Sequence, residues 1–183
     1  AAAVADVNTF SGTPTATLSN AHTLAELKAI NDALTGTLTL GSYTVELTGS
    51  SADVAAALSG NFADTYSGNV TLNSNHTLAE LVTINNGTSG DITLNSNGLA
   101  LEGSTADVKA ALSGTLSATY TGNVTLSDSN GAGIAAADIT TIEGDTNGTL
   151  TVSNNINLTG TSAQIAAAVA DVNTFSGTPT ATL

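Results

Sequence analysis

Two histidines are the first residues in this chain to test for chemistry. His22 and His76 open the matching stretches HTLAELKAIN and HTLAELVTIN, and imidazole can serve as a general base or as a metal ligand. A third related segment, SDSNGAGIAAAD, carries no histidine. A metal centre needs several converging ligands, so both histidines read as turn residues placed just before a helix cap. The sequence has no Ser/His/Asp set, phosphate-binding glycine loop or nicotinamide fingerprint. The clustered Arg, Lys and carboxylates of a polysaccharide lyase are also missing. The chain is not expected to be an enzyme.

The acids divide by position. Glu26 and Glu80 lie three residues after Thr23 and Thr77, the capping-box spacing. Asp53 and Asp107 fall in the first turn of equivalent short helices, where a negative charge complements the helix dipole, and Gln164 stands at the third such place. That leaves Asp128 with Asn130, and Glu143 with Asp145 and Asn147, as weak calcium candidates. Neither run matches the EF-hand loop or the glycine/aspartate nonapeptide of calcium-binding β-rolls, so turn chemistry accounts for them. No cofactor is expected, calcium being a possible ion.

A row of threonines offers a binding idea instead. Thr17, Thr39, Thr71, Thr93, Thr125, Thr151 and Thr182 are each the third residue of a short strand. A flat Thr array can order water and bind ice, usually as paired columns. The neighbouring column here mixes Thr with Asn69, Asp91 and Asn123. Cross-strand stabilisation of a solvated face is the simpler reading. The glycosylation motifs at Asn69 and Asn147 carry little weight in a chain so rich in Asn, Ser and Thr.

Those strands define the elements that must hold these residues. TATL, TLTL, NVTL, DITL, NVTL, TLTV and TATL begin at positions 15, 37, 69, 91, 123, 149 and 180, and their second and fourth residues are all apolar. Alternation of this kind marks a half-buried strand. Leu78, Leu81 and Ile84 form one helical stripe, and Thr105 is expected to cap the brief helix TADVKAAL. Crossovers through helices imply parallel, right-handed connections. The expected fold is therefore an α/β repeat solenoid, with one long parallel sheet and short helices packed on one face. Connections would alternate between about 22 and 32 residues. The further strands at 44–48, 98–102 and 155–159 could form either a second sheet or hairpins with the preceding strand.

The repeat behind this pattern is explicit. AAAVADVNTFSGTPTATL occurs at Ala1 to Leu18 and again, unchanged, at Ala166 to Leu183, an offset of 166 − 1 = 165 residues. Inside this superunit, Leu18, Leu72, Leu126 and Leu183 close equivalent strands at offsets of 54, 54 and 57. Repeat units of 15–68, 69–122 and 123–179 follow, within a single continuous segment 1–183. Units this small cannot bury a core alone, so neighbours are expected to share one. Ala1 is not expected to be a natural start, and end coils without caps should associate or fray.

Composition narrows the partners. Two Lys and no Arg against fifteen acids give a net charge of −13, so phosphate neutralisation, and with it nucleic-acid binding, is not expected. Anionic membrane surfaces are disfavoured for the same reason, and no run approaches the roughly 18 apolar residues of a membrane span. Cysteine, Met and Trp are absent and aromatics make up 3%, leaving Leu, Ile, Val and Ala to build the core.

The alternation of ATYTGNVTL, HTLAELKAIN, GTLTL and SADVAAALSG resembles tandem repeats of giant secreted bacterial cell-surface proteins, the adhesin-like and hemolysin-like proteins of cyanobacteria. The resemblance implies an extracellular or cell-surface location and secretion as part of a long polypeptide. The expected role is a rigid shaft or spacer partnered by further copies of the repeat, in the same chain or end to end. The alternative is an adhesive module that uses the solvated Thr/Asn face for glycan, ice or calcium-mediated contact.

Overall fold

The computed structural model describes residues 12–182. The chain forms two compact units, 1–95 and 96–183, and their boundary falls inside the 69–122 repeat. In the first unit the elements run β1 (Ala16–Thr17), α1 (Leu24–Ala33), β2 (Leu38–Thr39), β3 (Leu47–Gly49), α2 (Ser51–Leu58), β4 (Val70–Leu72), α3 (Leu78–Gly87) and β5 (Ile92–Thr93). One parallel sheet pairs β1 with β2, and a bridge from Leu38 to Phe62 continues it. A second parallel sheet has the order β3-β4-β5. Helix α2 packs against both α1 and α3.

The second unit runs β6 (Leu101–Gly103), α4 (Thr105–Leu112), β7 (Val124–Leu126), β8 (Ala132–Ala135), α5 (Ala136–Asp145), β9 (Leu150–Val152), β10 (Ile156–Thr159), α6 (Ser162–Asp171), β11 (Thr174–Phe175) and β12 (Thr180–Thr182). Its parallel sheets have the orders β6-β7-β9-β11 and β8-β10-β12. Helix α5 lies against α4 and α6. The fold is mixed α/β with parallel sheets, six helices being found among the described residues.

Local chemistry explains where the helices start. Thr23 and Thr77 are N-caps in complete capping boxes with Glu26 and Glu80, and Thr161 forms the same box with Gln164. Each box satisfies two amides that the first helical turn leaves without partners. Behind the caps, Leu27 and Ile30 of α1 and Leu81 and Ile84 of α3 are buried, each contributing on the order of 2 kcal/mol. The short helix TADVKAAL is capped one residue earlier than expected. Ser50 and Ser104 are the N-caps and accept from the amides of Asp53 and Asp107, whereas Thr105 is the first helical residue.

The sheets differ from a single long ladder. Stacked strand positions lie 22–24 residues apart in the first unit, as in 38 − 16 = 22, 62 − 38 = 24, 70 − 47 = 23 and 92 − 70 = 22. Helix starts there lie 27 apart, as in 51 − 24 and 78 − 51. Each coil therefore carries about four residues more than its strand ladder uses. The surplus accumulates until a new strand, and with it a new sheet, begins. The 32-residue step from TLTL at 37 to NVTL at 69 is not a pairing at all, since Leu38 bridges Phe62 while Val70 pairs with Leu47.

The same register decides the hairpin question. Residues 47–49 pair with the following strand β4, 101–103 with β7 and 156–159 with β8 and β12, all in parallel. A hairpin with the preceding strand would have to be antiparallel. Inward positions are apolar and covered as expected: Leu38, Val70, Ile92, Val124 and Leu150 are buried, as are Leu40, Leu72, Leu94, Leu126 and Val152. At the last strand the pattern breaks, because Thr180, Ala181 and Thr182 of β12 are all exposed.

Candidate functional site

Both histidines sit directly before a helix N-cap, Thr23 and Thr77, and both are buried. In the first unit the Tyr66 hydroxyl donates to the Val45 carbonyl at 2.6 Å and lies 3.1 Å from His22 Nε2. With its proton committed to Val45, the tyrosine can only accept from His22, which fixes the Nε2–H tautomer. Burial holds the His22 imidazole below its ordinary pKa, against an opposing pull from Glu26, and does the same to His76 against Glu80. The Tyr66 and Tyr120 phenols are pushed up to about 12 by burial. Tyr120, in the second unit, donates to the Leu99 carbonyl at 2.7 Å. Neutral imidazole beside a protonated phenol ties the segment before β3 to the helix entry.

Glycine makes this tie possible. A Cβ on Gly68 would sit 2.0 Å from the Val45 carbonyl oxygen, and one on Gly122 would sit 1.7 Å from the Leu99 carbonyl oxygen. The Tyr-x-Gly-Asn-Val-Thr-Leu segment therefore lets two backbones lie against each other under the tyrosine ring. Asn69 and Asn123 then each accept, through Oδ1, from a backbone amide one coil further on, those of Asp91 and Thr149, at 3.0 and 3.1 Å.

The calcium candidates are not gathered into one cage. Asp128 accepts from the Thr105 amide at 3.1 Å and the Thr105 hydroxyl at 2.5 Å, clasping the start of α4. Asn130 Oδ1 accepts from the Asn155 amide, and the Asn147 amide donates to the Tyr120 carbonyl. Glu143 is exposed near the end of α5, while burial raises the Asp145 carboxyl above its usual range. Among the described residues no group of three or more His, Asp or Glu side chains converges as a metal site would require. Asp128 has a counterpart in the first unit: Ser74 accepts from the Ser51 amide at 3.0 Å, and the Ser51 hydroxyl donates to Glu80 at 2.8 Å. This clasp, from the turn after one strand to the helix start one coil earlier, was not seen in the sequence. The equal 23-residue spacing of Ser51–Ser74 and Thr105–Asp128 was its available signal.

The threonine row is real but divided. Thr17 pairs with Thr39 in one sheet, Thr71 with Thr93 in a second and Thr125 with Thr151 in a third; Thr182 pairs with Thr159 in a fourth. Thr48 and Thr174 join the second and third sheets, and Glu102 stands beside Thr125. Glu46 Oε1 accepts from the Thr71 hydroxyl, so carboxylates interrupt the outward face. Runs of two or three threonines replace the seven-residue column that the sequence suggested.

Each unit also has a shallow polar crevice where the chain passes from helix to strand. One, of about 360 Å³, lies among Leu58, Phe62, Asp64, Tyr66 and Thr88. The other, of about 230 Å³, lies among Leu112, Leu116, Ala118, Tyr120 and Asp145. Their recurrence at equivalent positions makes them products of the coil geometry. No helix among the described residues is long and apolar enough to cross a membrane. Comparison with protein-family models, curated proteins and solved structures finds no match for this chain.

Proposed function

We propose that this chain is a structural repeat of a giant extracellular, cell-surface or filament-forming protein, acting as a rigid shaft or spacer, with its coils stacked as an α/β solenoid. The observation that carries the reading is the unchanged return of Ala1–Leu18 at Ala166–Leu183, since a coil that recurs whole after 165 residues has the same neighbours to offer on both sides. Two features support it. Apolar positions of successive coils build a common interior in each unit, as expected for repeats that cannot fold singly. The polar groups with defined partners, Asn69, Asn123, Ser74 and Asp128, hold neighbouring coils together. Calcium is not required by this arrangement.

Six helix-bearing coils fill a superunit. At a strand spacing of about 4.8 Å they would advance it by about 29 Å along the ladder. Cryo-electron microscopy of a chain of several tandem superunits should show that periodicity, whereas beads joined by flexible links would overturn the shaft reading.

A further inference from the structure

Coil geometry makes a crevice in each unit, but the side chains around the two differ. Leu58 and Tyr66 of the first have counterparts in Leu112 and Tyr120 of the second, and each tyrosine donates to a carbonyl one coil back. Elsewhere the linings part. Aligning NFADTY with TLSATY sets Phe62 against Leu116 and Asp64 against Ala118, and aligning α3 with α5 sets Asn86 against Gly144 and Gly87 against Asp145. All eight of these residues line their crevices. The first, at about 360 Å³, lies within the range of small-molecule sites, roughly 300–1,000 Å³, and the second, at about 230 Å³, falls below it.

The first lining has the chemistry of a sugar site. The chain has three Phe and three Tyr, and two of these six, Phe62 and Tyr66, are here. Their ring centroids lie 5.9 Å apart, so packing holds the Phe62 ring while part of it stays open to solvent. An aromatic face is electron-rich and suits the face of a pyranose, whose C–H bonds carry slight positive charge. Asp64 and Asn86 are exposed beside it. Asp64 Oδ1 accepts from the Thr65 amide at 2.7 Å, which orients the carboxylate and leaves Oδ2 to accept from a sugar hydroxyl. The Asn86 amide can both donate and accept. Asp64 is the one charged residue of this lining, and it would repel an acidic sugar.

We propose that the first unit's crevice binds a neutral sugar, with a pyranose ring on Phe62 and hydroxyls held by Asp64 and Asn86. The outward threonine rows take no part. The site stands apart from the shaft reading, since superunits joined like beads would still carry it, and a periodic shaft that bound no sugar would lose the site alone.

The test is a titration of the ¹⁵N-labelled full chain with the methyl glycosides of glucose, galactose and mannose, followed by NMR. At least one should shift the Asn86 side-chain amide and the backbone amides of Thr65 and Ser89 saturably. A Kd on the order of a few millimolar fits a ligand of about a dozen non-hydrogen atoms. Phe62→Leu and Asp64→Ala, which install the second unit's residues, should each raise that Kd about tenfold, and Asn86→Ala about fivefold. If Phe62→Leu loses the native spectrum, the two variants at exposed positions decide. No saturable shift with any of the three sugars would overturn the site. So would shifts as strong at Leu116 and Thr119 of the second crevice, or shifts that survive Asp64→Ala combined with Asn86→Ala. Equal binding of the matching glucuronide would overturn the choice of a neutral ligand.

Discussion

His22 Nε2 lies 3.1 Å from the Tyr66 hydroxyl, joining two side chains that are 44 residues apart in sequence. The hydroxyl in turn donates to the Val45 carbonyl, so three segments of the first unit meet at one oxygen. Tyr66→Phe removes that oxygen while keeping the ring, leaving the carbonyl and the imidazole N–H buried without it. The loss should be about 1–3 kcal/mol, read as a lower urea midpoint at an unchanged slope. A midpoint equal to that of the parent would mean that the hydroxyl is dispensable.

Burial lowers the pKa of both His22 and His76, which sets the sign of an acid response. Well above pH 6.5, the ordinary histidine value, neither the folded nor the unfolded chain binds the proton, and stability is full. As the pH falls below that, the unfolded chain takes up protons that the folded chain resists, so stability drops, by at most about 1.4 kcal/mol per pH unit for each histidine. The carboxylates act in a lower window. Thr23 holds Glu26 below its usual range through backbone and hydroxyl bonds; burial alone would raise Glu80, but bonds from Thr77 and Ser51 outweigh it. Their contribution is present above about pH 4.5 and is lost as the pH falls further. Thermal melts between about pH 7 and 5 should therefore slope downward, and the His22→Asn, His76→Asn double variant should flatten that slope. A flat parent profile over this range would refute the assignment.

The fold was legible wherever one short-range rule was enough. The Thr23–Glu26 and Thr77–Glu80 spacings announced their helices, and the alternation in NVTL announced β4 and β7. Pairing was harder, because it depends on what lies one coil away. NVTL resembles TLTL in sequence, yet Val70 stacks on Leu47 of TVEL, since chain length between the strands and not likeness decides which backbones meet. Strand β8 was invisible for a related reason. Its residues, Ala132–Ala135, include Gly133 and have weak strand preference, and pairing with β10 holds them extended. The buried states of His22 and Tyr66 were hidden as well, because a polar residue reads as exposed until its distant partner is known.

Asp128 tests whether the third repeat's acids serve structure or an ion. Its carboxylate accepts from both the amide and the hydroxyl of Thr105, which is itself buried. Asp128→Ala should cost about 1–3 kcal/mol by stranding that amide. Asp128→Asn, which keeps an acceptor oxygen, should cost less than half as much. Millimolar calcium should leave the melting temperature of the parent where it is. A calcium-dependent rise that Asp128→Ala abolishes would reassign the residue as a ligand.

Two glycines in the second unit should respond to alanine in opposite directions. At Gly122 the added Cβ would lie 1.7 Å from the Leu99 carbonyl oxygen and 2.8 Å from the Tyr120 ring, and the two are themselves joined by the hydrogen bond from the Tyr120 hydroxyl to the Leu99 carbonyl. Gly122→Ala should therefore destabilise by about 3 kcal/mol, at the upper end of overpacking costs. Gly144 sits inside α5 with nothing within 4 Å of its added Cβ, so Gly144→Ala should stabilise by about 0.5–1 kcal/mol through helix propensity alone. Denaturant unfolding of both variants against the parent measures the pair. If Gly122→Ala were tolerated as well as Gly144→Ala, the close approach of the 99 and 122 backbones could not be the feature that sets the coil spacing.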